Sequence, residues 1–326
     1  MKLNTLPLWK PVLIFVILLV NGCSSDGTGG TPNIATLTPA ISSAKGKIAF
    51  EYWSGRYGIY VMNADGSDLK NLTVNLAYSR DPAWSPDGQL IAFSAIQNNG
   101  ATQIYVMNSD GSDQSQLTFN ETDSTGPTWS PDGKYILFLS TRDGVLSRDQ
   151  GIPVQEVYVM KFDGSEQHRL TNNRVFERAL SWSPKGDIIA VSIADPANSK
   201  HSIEIYLMSL DGVIQKQLTQ FGSNYNPMWS PDGEFIVFFS LGQSDCSGIN
   251  IIKVDGTDQV CLIIDKASPP TQNRDPSWSP DGKYIVFSSN LDGDWDLYMV
   301  KTDGSNLTQL TNMPGDETSP VWSTTP

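Results

Sequence analysis

Apolar positions along residues 46–326 fall into short runs that are separated by Gly, Pro, Asp and Ser. In Lys134–Phe138 and its counterparts, polar and apolar positions alternate, as in a β-strand with one buried face. Asp-Gly dipeptides between such runs are hairpin signals. This part of the chain therefore predicts an all-β fold made of many short strands.

One motif recurs at a nearly regular interval of 44 to 53 residues. It reads Trp-Ser-Pro-Asp-Gly in four copies and Trp-Ser-Pro-Lys-Gly in the copy at Trp182, and a truncated Trp-Ser stands near the end of the chain. In this motif Pro presets the backbone, Asp can bond its own backbone, and Gly accepts a positive φ, so a turn is expected. The six copies begin at Trp84, Trp129, Trp182, Trp229, Trp278 and Trp322.

A second motif, an apolar run followed by Asp-Gly, is interleaved with the first. Its six copies begin at Ile59, Ile104, Val157, Ile205, Ile249 and Leu297. Five copies are followed by Leu-Thr, and the fifth has Leu262-Ile263 instead. Each unit thus contains four strands: strand a ends at Trp-Ser, strand b follows, strand c is the second motif, and strand d ends at Leu-Thr. Four-stranded units of this length are typical of propeller blades.

The two ends of the repeat region complete one blade. The first unit begins with strand b at Ile48, and the last Trp-Ser, at Trp322, has no strand b after it. We therefore expect the C-terminal strand, near Pro320–Ser323, to become the inner strand of the first blade, which closes the ring and removes exposed sheet edges. The predicted fold is an all-β six-bladed β-propeller of four-stranded blades over residues 46–326.

We interpret the N-terminus as a targeting signal rather than as part of the fold. Two lysines precede Val12–Val20, an apolar run that is too short to span a bilayer. The segment that follows, Val20-Asn21-Gly22-Cys23, resembles a bacterial lipoprotein signal, which implies a signal peptide over 1–22 and lipidation of Cys23; an ordinary secretory signal is the alternative. Residues 23–45 are rich in Ser, Thr, Gly and Pro and predict a flexible tether.

The repeat motifs resemble those of the TolB-like propeller family and its WD-like relatives, and the resemblance covers about residues 46–326. It implies a periplasmic or surface propeller that is used for protein contacts. TolB carries an additional α/β domain before its propeller, whereas only the predicted tether precedes the repeats here. The role of TolB is therefore not carried over whole.

The overall charge limits the classes of partner that the protein is expected to bind. The formal net charge is −13, and a surface this acidic repels phosphate backbones, so nucleic-acid binding is not expected. Basic partners or bound cations fit the charge better. We expect no cofactor, with a cation in the central channel left open, and no loop motif predicts a calcium site.

The candidate binding site is the mouth of the central channel. We predict that the residues just before strand a of each blade form a ring around this mouth. The ring mixes arginines and carboxylates, which can hold a charged peptide end, an acidic sugar or a cation. The alternative is that these charges form mutual ion pairs around a water-filled pore. The candidates are Arg80, Asp81, Glu177, Arg178, Tyr225, Asn226, Arg274 and Asp275, with Ser124-Thr125 and Thr318-Ser319 at the equivalent positions.

The b–c and d–a loops share one face and vary in length, and such loops usually carry function. The longest, Thr141–Glu156, holds four further candidate contacts, and a tolerated surface insertion is the alternative. These contacts are Arg142, Asp143, Arg148 and Asp149. Aromatic residues in or beside the variable loops are Tyr57, Tyr78, Phe119, Phe176, Phe221 and Trp295.

An enzyme is the less favoured interpretation. Some propellers are metal-dependent uronate lyases that resemble one another in having several channel histidines, but this chain has only His168 and His201, on different blades. No Gly-x-Ser-x-Gly nucleophile motif is present. We expect no catalytic residues and no metal site. A carbohydrate-binding or carbohydrate-cleaving, lyase-type propeller remains the alternative function.

Two cysteines follow Cys23, and the sequence predicts that both are free thiols. The hairpin centred near Gly256 should pair Cys261 with about Ile252, and Cys246 lies six residues further along. In an extended strand that distance is about 20 Å, which no disulfide spans. A bond would require the Leu241–Gly248 loop to fold back, and this is the alternative.

The predicted function is a lipid-anchored scaffold of the bacterial cell envelope, on its periplasmic or extracellular side. It binds an envelope protein or a peptidoglycan-associated partner through the variable-loop face and the channel mouth. The lipid anchor is its only predicted membrane contact, and a monomer is expected.

Overall fold

A computed structural model describes residues 44–96, 100–147, 151–194, 202–242, 246–266 and 271–323. The predicted signal peptide, Cys23 and nearly all of the predicted tether lie outside these residues, as do Arg148, Asp149 and His201. Within the described ranges, the structure contains no helix that is long and apolar enough to cross a membrane.

The described residues form 24 strands in six antiparallel four-stranded sheets, which confirms the all-β six-bladed propeller. The first three blades in chain order contain β1 Lys47–Trp53, β2 Tyr57–Asn63, β3 Lys70–Asn71, β4 Ala77–Trp84, β5 Leu90–Ile96, β6 Thr102–Asn108, β7 Ser115–Gln116, β8 Ser124–Trp129, β9 Tyr135–Ser140, β10 Glu156–Lys161 and β11 His168–Arg169. The last three contain β12 Phe176–Trp182, β13 Ile188–Ala194, β14 Ile203–Ser209, β15 Ile214–Gln217, β16 Ser223–Trp229, β17 Phe235–Leu241, β18 Gly248–Lys253, β19 Val260–Ile264, β20 Asn273–Trp278, β21 Tyr284–Ser289, β22 Asp296–Lys301 and β23 Thr308–Gln309.

The final strand, β24 (Asp316–Trp322), belongs to the first blade, whose strand order is β24-β1-β2-β3. It pairs antiparallel with β1, with Trp322 opposite Ile48. The Trp322 indole N–H donates to the carbonyl of Lys45 at 2.8 Å, and the backbone N–H of Ser323 donates to that of Lys47 at 2.8 Å. The predicted closure of the ring by the C-terminal strand is thus confirmed.

Apolar side chains pack between neighbouring blades as well as within them. One buried cluster joins Phe50 and Met62 of the first blade to Val286 and Leu297 of the last. The repeated tryptophans bind across the same boundaries: the indole N–H of Trp84 donates to Val321 O at 3.2 Å, and equivalent bonds run from Trp129 to Ala83 and from Trp278 to Met228. The expected packing of these tryptophans between blades is confirmed for these copies.

The turn aspartates cap the a–b turns. Asp87 accepts a hydrogen bond from the Ser85 hydroxyl at 2.6 Å and another from the backbone N–H of Gln89 at 3.0 Å. The same pattern recurs at Asp132, Asp232 and Asp281. Where Lys185 replaces this residue, the Ser183 hydroxyl bonds Asp187 instead, at 2.8 Å.

The Leu-Thr motif ties strand d to strand c. In each of the five copies the threonine hydroxyl oxygen accepts the backbone N–H of the first apolar residue of the second motif, at 2.8–2.9 Å. In the blade that lacks the threonine, the Asp265 carboxylate instead accepts both N–H groups of Asn273, at 3.0 and 2.8 Å. The motif therefore joins the end of strand d to strand c within a blade, whereas Asp265 joins the fifth blade to the first strand of the sixth.

The prediction of two free thiols is wrong, because Cys246 and Cys261 form a disulfide with Cα atoms 5.6 Å apart. Cys261 pairs with Asn250 rather than with Ile252, and the register between β18 and β19 shifts immediately beyond this pair. Strand β18 also begins only at Gly248, whose φ of 120° is left-handed. The chain before it therefore folds back towards β19 instead of continuing as a strand.

Candidate functional site

Each inner strand carries an irregularity where it faces the channel. The pairing register of strand a with strand b shifts in all six blades, close to the residue that lies three positions before the repeated tryptophan. In five blades this residue has a left-handed backbone and a proline follows it: Asp81, Gly126, Asn226, Asp275 and Ser319. Bulges of this kind turn side chains away from the regular pleat.

The candidate channel residues therefore lie within the inner strands rather than just before them. Arg80-Asp81 fall inside β4, Glu177-Arg178 inside β12, Tyr225-Asn226 inside β16 and Arg274-Asp275 inside β20. The reason is that strand a is longer towards the d–a loop than the Trp-Ser-Pro motif alone indicates.

Inner strands of all six blades enclose a cavity of about 540 Å³ on the channel axis. Its lining extends from the bulge residues to the prolines of the a–b turns, so it occupies the half of the channel on the turn side. Four predicted residues line it: Asp81, Arg178, Asn226 and Asp275. Arg80 and Arg274 lie one residue before Asp81 and Asp275, towards the variable loops.

The structure adds one residue that the sequence reasoning missed, Glu51 on β1. It is fully buried and accepts hydrogen bonds from Arg80 Nε at 3.2 Å and from the backbone N–H of Asp81 at 2.8 Å. The corresponding strand-b positions hold Ser94, Leu139, Ser192, Phe239 and Ser288, so alignment of the strand-b repeats shows that Glu51 is the only carboxylate there.

Burial raises the pKa of Glu51 to about 7, with Asp81 adding to the effect and Arg80 opposing it. Asp275 also contributes a small repulsion, which places a third carboxylate near the same part of the channel. The pKa of Asp275 is raised by burial too, against the attraction of Arg274. The channel thus brings acidic groups together and only partly neutralises them.

The second charged cluster surrounds Arg274. Its guanidinium lies over the Trp295 ring at 3.6 Å, and its Nε is 3.5 Å from a carboxylate oxygen of Asp275. Asn226 Nδ2 donates to the other Asp275 oxygen at 2.7 Å. Three predicted residues from neighbouring blades are therefore in contact, together with one of the predicted loop aromatics.

Aromatic side chains adjoin the Arg80–Glu51 pair on the variable-loop face. The Arg80 guanidinium lies 4.4 Å from the centroid of the Tyr57 ring, and that ring is 6.5 Å from Trp53 and 6.4 Å from Tyr78. Trp53 is 41% and Tyr78 47% exposed, and Tyr78 has a φ of 53°, which is rare for a bulky residue. We call Trp53, Tyr57, Tyr78 and Arg80 the Tyr57 cluster.

Two predicted channel residues are engaged elsewhere. Glu177 is fully buried between blades, where it accepts hydrogen bonds from Thr171 at 3.0 Å and Asn173 at 2.6 Å. Burial and the neighbouring Glu156 raise the pKa of Glu177 to about 8. Tyr225 stacks on Phe239 with ring centroids 4.9 Å apart.

Arg178 differs from the other two arginines. It is exposed, it lines the cavity, and it has no ion-pair partner among the described residues. Among the described residues of the channel, the Arg178 guanidinium is thus a positive charge that an incoming carboxylate can reach without displacing an ion-pair partner.

The long loop of the third blade is held by the two candidate contacts that the structure describes. Arg142 lies against the rings of Phe138 and Tyr158 and donates to Gln167 at 2.7 Å. Asp143 forms an ion pair with Arg169 at 2.9 Å. These contacts anchor the base of the loop to its own blade.

His168 lies on the outer strand β11, is exposed, and contacts the carbonyl of Glu166 through Nδ1 at 3.0 Å. The described residues that line the channel cavity include no histidine and no cysteine. In the described part of the channel, the groups available to a bound ligand therefore include side-chain oxygen atoms and guanidinium groups, but no imidazole or thiol.

Fold and channel together define a propeller of the TolB type. The sequence profile of the TolB beta propeller domain family matches residues 30–268, and the chain belongs to this family.

Individual TolB proteins are also similar to this chain. The chain is 28% identical over 197 residues to Protein TolB homolog from Chlorobium chlorochromatii, covering 57% of this chain and 42% of that protein. It spans less than half the length of the curated relatives it matches. The crystal structure of TolB from Acinetobacter baumannii has a TM-score of 0.71 at 23% identity, covering 89% of this chain and 69% of that one.

A structure of oligogalacturonate lyase from Vibrio parahaemolyticus is also similar, with a TM-score of 0.51 at 15% identity over 83% of this chain and 75% of that one. At these identities, both structural likenesses show the fold alone.

Proposed function

We propose that this chain is a binding scaffold of the bacterial cell envelope that holds a protein partner on its variable-loop face. Membership of the TolB beta propeller domain family supports a binding role. The lipoprotein-like signal at Cys23 supports an anchored position on the periplasmic or extracellular side of a membrane.

The observation that carries the proposal is the Tyr57 cluster. Tyr, Trp and Arg dominate the energetics of protein interfaces because they combine large contact areas with polar groups. Here they are adjacent and partly exposed, and Glu51 orients the arginine through the 3.2 Å contact with its Nε. Phe119 and Phe221, 77% and 64% exposed, add apolar surface just after strand d of two further blades.

The channel supplies a second, polar element of the same proposal. Arg178 offers a guanidinium to a carboxylate, whereas Glu51, Asp81 and Asp275 favour basic groups. A partner segment that enters the channel is thus expected to carry both signs of charge. The net charge of −13 favours a partner that is basic overall.

We propose further that the chain is not an enzyme and acts as a monomer. The described channel offers no nucleophile–base pair of the kind that covalent catalysis needs. A carbohydrate-binding or carbohydrate-cleaving propeller is the competing function, and the likeness to the lyase supports only a shared fold.

The test is capture of a partner from a detergent-solubilised envelope by the immobilised full-length chain. Three forms are compared: the natural chain, the double variant Tyr57→Ala/Arg80→Ala, and the control Lys134→Ala/Lys283→Ala, which removes two exposed lysines beside the a–b turns on the opposite face. Circular dichroism verifies that all three are folded. We expect a partner that the natural chain and the control capture and the double variant loses.

Equal capture by all three forms contradicts the proposed surface. A glycan array and a turnover assay on uronate oligosaccharides test the competing function. Binding to a defined glycan, or release of product, together with no protein capture, overturns the scaffold proposal.

A further inference from the structure

The b–c loop of the last blade brings three aspartates together, outside the channel cavity. Asp292 and Asp294 lie in this loop and Asp296 begins β22, and one carboxylate oxygen from each lies within 4.8 Å of the others. Gly293 has a φ of 129°, which allows the loop to turn between the first two, and a Cβ at this position would meet no atom within 4 Å. Asp292 and Asp294 are exposed, whereas Asp296 is buried.

Glu317, on the closing strand β24, lies beside these aspartates. Glu317 is 0% exposed, and neither of its carboxylate oxygens has a well-formed hydrogen-bond donor among the described residues. Its carboxyl group lies against that of Asp296. A buried carboxylate without a donor is costly unless a cation or a proton neutralises it.

Comparison with another blade shows that this arrangement is unusual for the fold. Glu177 stands at the equivalent position, five residues before its tryptophan, and also faces an acidic residue of the preceding blade, Glu156. Glu177, however, accepts hydrogen bonds from Thr171 and Asn173. Near Glu317 the corresponding Thr311 hydroxyl and the Met313 N–H form no hydrogen bond of ordinary geometry with its carboxyl group, which faces a loop with two more carboxylates.

The local donors do not neutralise this group of acids. Gln309 Nε2 donates to Asp292 at 2.7 Å and to Asp296 at 3.2 Å, and the Thr311 hydroxyl is 3.5 Å from Asp296. No lysine or arginine forms an ion pair with any of the four acids within the described ranges. The other donors near these acids, the Tyr298 hydroxyl at Asp292 and the Met313 N–H at Glu317, are also neutral, so the four carboxyl groups have no positively charged partner among the described residues.

We propose that Asp292, Asp294 and Asp296, backed by Glu317, bind a calcium ion on the last blade. Calcium takes several carboxylate and carbonyl oxygens at 2.3–2.6 Å in flexible geometry, as an exposed loop provides, whereas magnesium demands a strict octahedron and keeps its waters. The absence of sulfur and imidazole from this group of ligands disfavours zinc and copper.

The ion is connected to the channel through Trp295, which stands between two of its ligands. The carbonyl of Trp295 accepts the backbone N–H of Glu317 at 2.6 Å, and its ring lies against Arg274 at 3.6 Å. Calcium that fixes the loop therefore also fixes the ring that supports Arg274. The indole is close enough to the carboxylates to serve as an optical reporter for a lanthanide substitute.

The experiment uses the full-length chain, freed of metal with a chelator. Calcium is titrated by isothermal calorimetry, and terbium by luminescence excited through tryptophan. The variant Asp292→Asn/Asp294→Asn removes two exposed ligands, and the control Glu121→Gln/Glu234→Gln removes the same charge from exposed sites elsewhere. Trp295→Phe tests the reporter.

We expect one calcium per chain in the natural protein and the control, with a dissociation constant on the order of 10⁻⁴ to 10⁻³ M, as in extracellular calcium modules. The double variant should bind at least about tenfold more weakly, since affinity follows ligand charge. Trp295→Phe should lower terbium luminescence without changing the calorimetric affinity. Absence of binding at millimolar calcium, or equal binding by the double variant, overturns the proposal.

Discussion

The Leu-Thr motif allows a sharp test of how the end of strand d is joined to strand c within a blade. In the fourth blade the Thr219 hydroxyl accepts the backbone N–H of Ile205 at 2.9 Å and donates to the buried carboxylate of Glu204 at 2.6 Å. In the first blade the Thr73 hydroxyl makes only the first of these contacts, with Ile59 at 2.9 Å, because glycine replaces the acid. Both threonines are buried.

Replacing each threonine by valine keeps the shape and removes the hydroxyl. Thr73→Val leaves one buried N–H without an acceptor, which costs about 1–3 kcal/mol. Thr219→Val loses the same bond and also a hydrogen bond to a charged group, which adds about 1.5–3 kcal/mol. The free energy of unfolding should therefore fall by about 2 kcal/mol more in Thr219→Val than in Thr73→Val.

Urea denaturation followed by tryptophan fluorescence measures this difference on the two purified variants and the natural chain. The double variant Thr219→Val/Glu204→Gln gives a further check, because a neutral amide removes the charge that the lost hydroxyl had satisfied. Equal destabilisation of the two single variants contradicts the reasoning, since the carboxylate contact would then contribute nothing.

Three further predictions concern pH, oxidation and ring closure. The folded-state pKa of Glu51 is about 7, against an ordinary 4.5, so its contribution to stability is complete below pH 4.5 and is lost as the pH rises to about 7. Glu51→Gln should therefore flatten the dependence of the free energy of unfolding on pH in that window, and an unchanged dependence contradicts this. The Cys246–Cys261 bond closes a separation of 15 residues, so its reduction should lower the stability of the natural chain by about 3 kcal/mol. The variant Cys246→Ser should not respond to reductant, and thermal unfolding with and without reductant measures both. Trp322→Ala should cost about 3–5 kcal/mol because it removes a buried ring from the closing strand, and an unchanged urea midpoint contradicts that role.

Much of the architecture is predictable because it is repeated. Six copies of two motifs define four strands per unit, and the incomplete first and last units predict the closure that β24 makes with β1. Pro-Asp-Gly predicts the a–b turns because its residues have strong local preferences, and the hydrogen bonds of Asp87 agree with this.

The failures occur where blades differ from the repeat. The free-thiol prediction assumed an extended strand through Cys246, whereas the register shift and the left-handed Gly248 fold the chain back. Glu51 was missed because strand b reads as a core strand, and its carboxyl function appears only when Arg80 and Asp81 of the next blade lie beside it.

By itself, the sequence determined the propeller, its number of blades and the strand that closes the ring, because local turn preferences and apolar periodicity act over a few residues and are repeated six times. Only the tertiary structure decided which charges meet. Glu51 and Arg80, Asn226 and Asp275, and Asp296 and Glu317 are all pairs from different blades. Their contacts depend on how neighbouring sheets pack around the channel, and no short-range pattern in the sequence encodes that packing.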